Sequence, residues 1–253
     1  KIASKLVSVK SVSQSLITLL FIYFIGYEGL YIGMLLALII EVIMGRKSFQ
    51  GFEFQFDLNK YKKLIKTGFP ILLVGLIWSI LITSDRLVIT IFMTPEDLGN
   101  YGVGMLIFNS MMLLPQVIGQ VLYPKIVELV SKEKNGEIKR LYWKVNKMLA
   151  ITVGLIVVAG YFLFPIFINY FMPDYKEGVK AGQILILGIY PLTLVGFAAN
   201  YFNATGKQKI YISILIFVIL INIILSVLLL YINQDILSVA IGTSLSYLIY
   251  FIL

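Results

Sequence analysis

Ile210 to Ile232 reads IYISILIFVILINIILSVLLLYI, a run of 23 residues without one charge. As a helix rising 1.5 Å per residue it would cover the roughly 30 Å of bilayer hydrocarbon with a little to spare. Seven more apolar runs fall at 11–26, 29–45, 69–93, 101–123, 148–171, 181–205 and 236–253. The runs are continuous rather than alternating, which argues against a membrane barrel. The reading is an all-α integral membrane protein with about eight transmembrane helices.

The composition agrees. Of 253 residues, 59% are hydrophobic and only 13% charged, and the mean hydropathy is +0.93. Ordinary soluble domains are nearer half apolar and a quarter charged. With no Cys and no His, disulfides, thiolate nucleophiles, Cys-ligated zinc and histidine-based catalysis are excluded. No metal or cofactor is expected, and no enzymatic activity. Gly206-Lys207 is not a phosphate-binding loop, because Gln208 stands where Ser or Thr is required and the upstream glycine is missing.

The net charge of +8 belongs to a membrane rule rather than to nucleic acid. Lys1, Lys5 and Lys10, the cluster from Arg46 to Lys66, the cluster from Lys125 to Lys147, and Lys207 with Lys209 all lie on one side of the expected spans. They are 18 of the 21 basic residues. The opposite loops carry Glu28, Glu96, Asp97, Asp174, Glu177 and Asp235. The basic side is therefore read as cytoplasmic. Two of its segments, Gln50–Lys66 and Tyr123–Lys147, read as charged connectors that set topology or, alternatively, as amphipathic pieces lying on the anionic inner leaflet.

Polar residues inside spans are costly and face a bundle interior or a wet cavity. Ser79, Thr83, Arg86 and Thr90 are spaced for one helical face. Asp85 lies about 100° around the helix from Arg86, close enough to share a cavity without a direct intrahelical pair. A guanidinium matches phosphate oxygens in a bidentate fork; equally, Arg86 can fix helix packing by pairing with an acid. Asn109, Gln116 and Gln120 share a second face, with Pro115 between them. Asn200 and Asn203 close the sixth span, and Asn222 lies in the seventh. These amides suit sugar hydroxyls along a pathway, or hydrogen bonds between helices. Tyr and Trp near span ends read as interfacial anchors.

Lys66-Thr67-Gly68-Phe69-Pro70 followed by Ser84-Asp85-Arg86 resembles the start of the second half of Wzx-type polysaccharide flippases. These belong to the multidrug/oligosaccharidyl-lipid/polysaccharide exporter superfamily. Leu98-Gly99-Asn100-Tyr101, the Tyr175 loop after Phe171, and Gly206-Lys207 after Asn200 to Thr205 also fit. The resemblance implies a MATE-like fold of two six-helix lobes. Residues 1–45 would be the last two helices of the first lobe, 46–68 a cytoplasmic linker, and 69–253 the complete second lobe.

It further implies a multi-pass protein of a bacterial or archaeal inner membrane. That protein would move a polyprenyl-pyrophosphate-linked oligosaccharide across the bilayer by alternating access. Arg86 would hold the anionic headgroup, with Asn109, Gln116, Gln120 and Asn200 as sugar contacts. Asp85 would serve in coupling or gating to an H+ or Na+ gradient, and other polysaccharide-assembly membrane proteins are expected partners. The rival readings are a cation-coupled multidrug exporter of the same superfamily and a membrane-embedded glycan-polymerising enzyme. The outer loops are only a few residues long, which argues against the enzyme.

The orientation can be checked directly because the chain lacks cysteine. Glu96→Cys is expected to react with an impermeant maleimide added outside intact cells. Labelling only after permeabilisation would reverse the assigned sidedness.

Overall fold

The computed structural model describes residues 2–45 and 57–253, and the described residues form helices without a strand. They divide into two compact units, Lys1–Tyr61 and Lys62–Leu253.

The first unit is a helical hairpin of α1 (Ile2–Ile25) and α2 (Tyr27–Gly45). Its turn rests on Gly26, whose φ of +75° is readily adopted only without a Cβ. Gly29 lies so close to α1 that a Cβ there would stand 2.1 Å from the Phe21 carbonyl oxygen. Small residues let membrane helices approach backbone to backbone, where dispersion rather than a hydrophobic force holds them.

Helix α3 (Leu58–Leu81) leads into the second unit. There follow α4 (Ser84–Phe92), α5 (Pro95–Ser131), α6 (Asn135–Phe171), α7 (Gly178–Leu194), α8 (Gly196–Ala204), α9 (Gln208–Asn233) and α10 (Ile236–Ile252). Five stretches are long and apolar enough to cross a membrane: Leu58–Leu81, Pro95–Ser131, Asn135–Phe171, Gly178–Ala204 and Gln208–Asn233. Gln14–Ile25, Tyr27–Ile40 and Ile236–Ile252 are shorter apolar helices. Together they account for the eight expected spans. Their outward faces are apolar: Ile91 is 72% exposed, Phe162 66% and Ile232 73%, as lipid-facing side chains should be.

Three features depart from the sequence reading. The third expected span, 69–93, is two helices parted at Ile82 and Thr83. No proline or glycine causes the break. The Thr83 hydroxyl donates to Ser79 O and the Ser84 hydroxyl to Leu81 O, so side chains compete for carbonyls that the helix would otherwise use. The sixth span is also divided, into α7 and α8 at Val195, between Pro191 and Gly196. Finally, α5 and α6 have 37 residues each, or about 55 Å, far beyond a bilayer.

The basic segment 123–147 is thus a projecting helical hairpin rather than a loop. At its end Lys125 and Lys132 both donate to Glu128, at 2.9 and 2.7 Å. The bonds from Lys132 and Lys125 hold the Glu128 carboxyl down to about 2. Of the expected linker 46–68, Leu58 to Gly68 are helical and open α3, whereas residues 46–56 lie outside the described residues.

Caps fix where the helices start and stop. Thr94 and Asp97 form a reciprocal capping box ahead of α5, with Pro95 in its first turn. Helix α8 ends in a Schellman turn: Gly206 has φ +73° and the Lys207 N–H donates to Phe202 O at 3.0 Å.

Helices α5 and α7 meet along a glycine contact. A Cβ on Gly104 would lie 2.8 Å from the Gly182 Cα, and one on Gly182 would lie 2.3 Å from the Phe164 ring. Gly182→Leu should therefore force the two backbones apart, at about 3 kcal/mol by the usual cost of overpacking. A drop in folded yield and in the thermal midpoint of the detergent-purified protein is the expected result; an unchanged midpoint would mean that the seam is loose.

Candidate functional site

Two polar regions of the second unit sit at different depths. The first lies at the start of α4. Asp85 and Ser84 have no exposed surface. The Tyr101 hydroxyl, at the outer end of α5, donates to Asp85 Oδ2 at 2.6 Å, and the Arg86 N–H donates to Oδ1 at 2.7 Å. Asp85 also stands in the first turn of α4, where unpaired N–H groups and the helix dipole favour an acidic side chain.

Ser84 Oγ lies 3.0 Å from Asn222 Oδ1, and Asn222 Nδ2 donates to Ser246 Oγ at 2.9 Å. Side chains of α4, α9 and α10 are thereby joined through the lobe interior. Tyr247 is buried beside Phe108, with ring centroids 6.1 Å apart. Its hydroxyl and that of Ser226 are buried and have no hydrogen-bond partner among the described residues.

Arg86 occupies the same break. One guanidinium nitrogen donates to Ile82 O at 2.9 Å, a carbonyl that the interruption of the helix leaves unpaired. Its Nε lies 3.9 Å from Asp85 Oδ1, a long ion pair between consecutive residues of α4, as the packing reading of Arg86 allowed. Thr90 Oγ1 donates back to Arg86 O at 2.7 Å, so the polar face of Ser79, Thr83, Arg86 and Thr90 is largely turned onto its own backbone. The Arg86 side chain keeps about a third of its surface, 35%.

The second region is a cavity of about 550 Å³. It is lined by α3, the inner half of α5, α8 and the adjoining ends of α7, α9 and α10, together with Val145 and Leu149 of α6. Gln116, Gln120 and Asn200 all line it, and the structure adds Asn203. Asn200 Nδ2 donates to Gly119 O at a long 3.3 Å. Across from the amides stand Trp78 and Tyr250, with ring centroids 6.4 Å apart, and the Tyr250 hydroxyl donates to the Tyr211 hydroxyl at 3.0 Å. The α7–α8 break opens into this space through Val195 and Gly196. Interrupted membrane helices that line a cavity are a recurring sign of a transport site.

The residues singled out from sequence therefore do not converge on one place. Helix rise along α4 and α5 separates Arg86 from Gln116 by roughly 20 Å along the helix axes. Asp85 and Arg86 lie near the outer end; Gln116, Gln120 and Asn200 line the cavity toward the basic side. Asn109 is exposed and lines neither. The sequence reading missed Trp78, Tyr211 and Tyr250, because an aromatic near a span end looks alike whether it faces headgroups or a cavity. Tyr101 could have been found, since it belongs to the quoted hairpin motif. Among the described residues no group of acidic side chains suits a metal ion.

The described residues form an all-helical, multi-pass membrane architecture with two interrupted spans. A family model described as polysaccharide biosynthesis protein matches residues 1–130, just over half of the chain, and the chain belongs to that family. Among solved structures, the crystal structure of a mutant of the Vibrio cholerae MATE transporter VcmN aligns with a TM-score of 0.78 at 16% identity. The alignment covers 99% of this chain and 60% of that one, so the fold is MATE-like and the chain spans about three fifths of that transporter's length. Comparison with curated protein sequences gave no match.

The Asp85–Tyr101 hydrogen bond makes a measurable claim. Tyr101→Phe removes one donor from a fully buried carboxyl group, a loss of about 1–3 kcal/mol. The thermal midpoint should fall, and it should fall by less when Asp85→Asn is already present. Equal losses in both backgrounds would show that the two side chains are not coupled.

Proposed function

We propose that this protein is a flippase that carries a polyprenyl-pyrophosphate-linked oligosaccharide across the cytoplasmic membrane of a bacterial or archaeal cell, by alternating access. The observation that carries this reading is the cavity at the α7–α8 break. In a polysaccharide-biosynthesis family member it presents Gln116, Gln120 and Asn200 toward the basic, cytoplasmic side, where such a substrate is made. Residues 1–45 would contribute to one lobe and 69–253 form the other, joined by 46–68.

In this reading the amides of the cavity meet sugar hydroxyls as the substrate loads, and Asn109 lies further along the route. Arg86 meets the pyrophosphate nearer the outer face. With one terminal nitrogen on Ile82 O and Nε buried against Asp85, the other terminal guanidinium nitrogen is the one left for phosphate oxygens. Asp85, buried and joined to α5 by Tyr101, is the candidate coupling or gating residue for an H+ or Na+ gradient: loading or unloading it would change the hydrogen bonds that hold α4 in place. The work of this protein is translocation rather than bond chemistry, alongside the membrane proteins that assemble the polymer.

Complementation tests the reading. The full-length gene should restore surface polymer to a strain lacking its glycan flippase. Arg86→Ala should abolish export while the protein reaches the membrane at normal levels, and Gln116→Ala with Gln120→Ala should reduce it several-fold. Full export by Arg86→Ala would remove Arg86 as a headgroup ligand. Failure to restore polymer, together with gained resistance to cationic drugs, would move the protein to the multidrug branch of the fold.

A further inference from the structure

Among the described residues, those that line the 550 Å³ cavity include no Asp, Glu, Lys or Arg. A membrane transport site for a charged group would bury that group without a counter-ion, at a cost that few ligands can meet. The walls instead combine two chemistries. Gln116 and Gln120 stand one turn apart on α5, and Asn200 and Asn203 about one turn apart on α8. A carboxamide both donates and accepts, which matches a hydroxyl that must do the same. Gln116 and Gln120 are exposed and make no hydrogen bond among the described residues, and the one bond of Asn200 Nδ2 is long. Hydrogen-bonding capacity is therefore unspent on the cavity wall.

The aromatic part of the lining is held in place. Trp78 and Tyr250 are inclined at 48°, the Tyr250 hydroxyl is tied to that of Tyr211, and the Tyr211 ring stacks on Phe202 at 5.9 Å and 3°. Such a fixed surface loses little entropy when a flat apolar face settles on it. A sugar ring presents hydroxyls at its edge and C–H bonds on its face. The volume falls within the roughly 300–1,000 Å³ of small-ligand sites.

Resting on the flippase reading, we infer that this cavity is a saccharide subsite for uncharged sugar rings, with the half-buried Trp78 as the stacking ring and the buried Tyr250 behind it as its support, and that it discriminates against acidic sugars. An acyl chain in the same space would strand four amides, each at a cost. A lipophilic cation would find aromatic faces but no acid to pair with. The pyrophosphate has no place here, which agrees with the distance to Arg86. Substrate would then be held at two points: the glycan in the cavity by shape and hydrogen bonds, and the anionic linkage elsewhere by charge.

Saturation-transfer NMR on the full-length protein in zwitterionic nanodiscs tests this. Neutral trisaccharides of glucose, galactose, mannose and rhamnose form the probe panel, with trigalacturonate as the acidic probe and tetraphenylphosphonium as the cationic one. At least one neutral sugar should give a saturable signal, and trigalacturonate should bind at least tenfold more weakly. Trp78→Phe should keep affinity within about threefold and Trp78→Leu should lose tenfold or more. Each variant is compared at a thermal midpoint matching the parent, so a folding defect does not pass for a binding one.

No saturable neutral sugar, equal binding of trigalacturonate, an unaffected Trp78→Leu variant, or signal from tetraphenylphosphonium alone would each overturn the subsite. The outcome is separable from the flippase test. Polymer export that survives Trp78→Leu in a protein that binds no sugar ends this inference alone. Sugar binding in a protein that restores no export leaves the subsite standing and ends the transport reading.

Discussion

A carboxyl group with no contact to solvent or lipid organises the outer half of this lobe. Asp85 stands at the first turn of α4, one residue before an arginine, on a span that has just been interrupted. The interruption leaves carbonyls without helical partners, and membrane-embedded backbone cannot turn to water for replacements. Arg86 fills part of that need at Ile82 O, Asp85 anchors Arg86, and Tyr101 anchors Asp85. Through Ser84 the same turn reaches Asn222 and Ser246. A break that would be a defect in an isolated helix is thus sewn to α5, α9 and α10.

The two polar regions use opposite physics. Around Asp85 the chain spends much of its polarity on itself, through Tyr101, the Arg86 N–H and Asn222, although Arg86 Nε and the Tyr247 hydroxyl keep no hydrogen-bond partner among the described residues. In the cavity, polarity is left available, and the amides face space rather than one another. Charge follows the same division. The Asp85–Arg86 pair is kept at the break, while the described lining of the cavity is neutral. A single route that passes both would meet a selective wall and a charged one in succession, which suits a substrate with a neutral head and an anionic linkage.

Span number, helical class and the basic side were legible because they depend on composition over twenty residues, which local detail cannot disturb. The Asp85–Arg86 pair was legible as polarity in the wrong place, but not as geometry. The two are consecutive residues of α4, so their offset of about 100° stands; what single-helix reasoning hid is that the hydroxyls of Thr83 and Ser84 end the preceding helix just before them. Gln116 and Gln120 could be read as a pair because one turn of α5 separates them. Asn109 could not be sorted from them, since sharing a helical face does not tell which neighbour that face meets. Trp78 and Tyr250 come together only through the way α3 and α10 are turned toward each other, which lies in neither segment alone.

The glycine contact between α5 and α7 bears on how such a lobe can change shape. Where Gly104 and Gly182 touch, no side chain lies between the backbones to act as a bearing, so sliding or rolling would open a void at once. Movement is therefore directed away from this pair and into the two joints, at Ile82–Thr83 and at Val195. The lobe behaves as a stiff spine that carries two jointed limbs. Asp85 and Arg86 lie just beyond one joint and Asn200 and Asn203 just beyond the other, so a bend at either joint would move one polar region relative to the same unyielding spine.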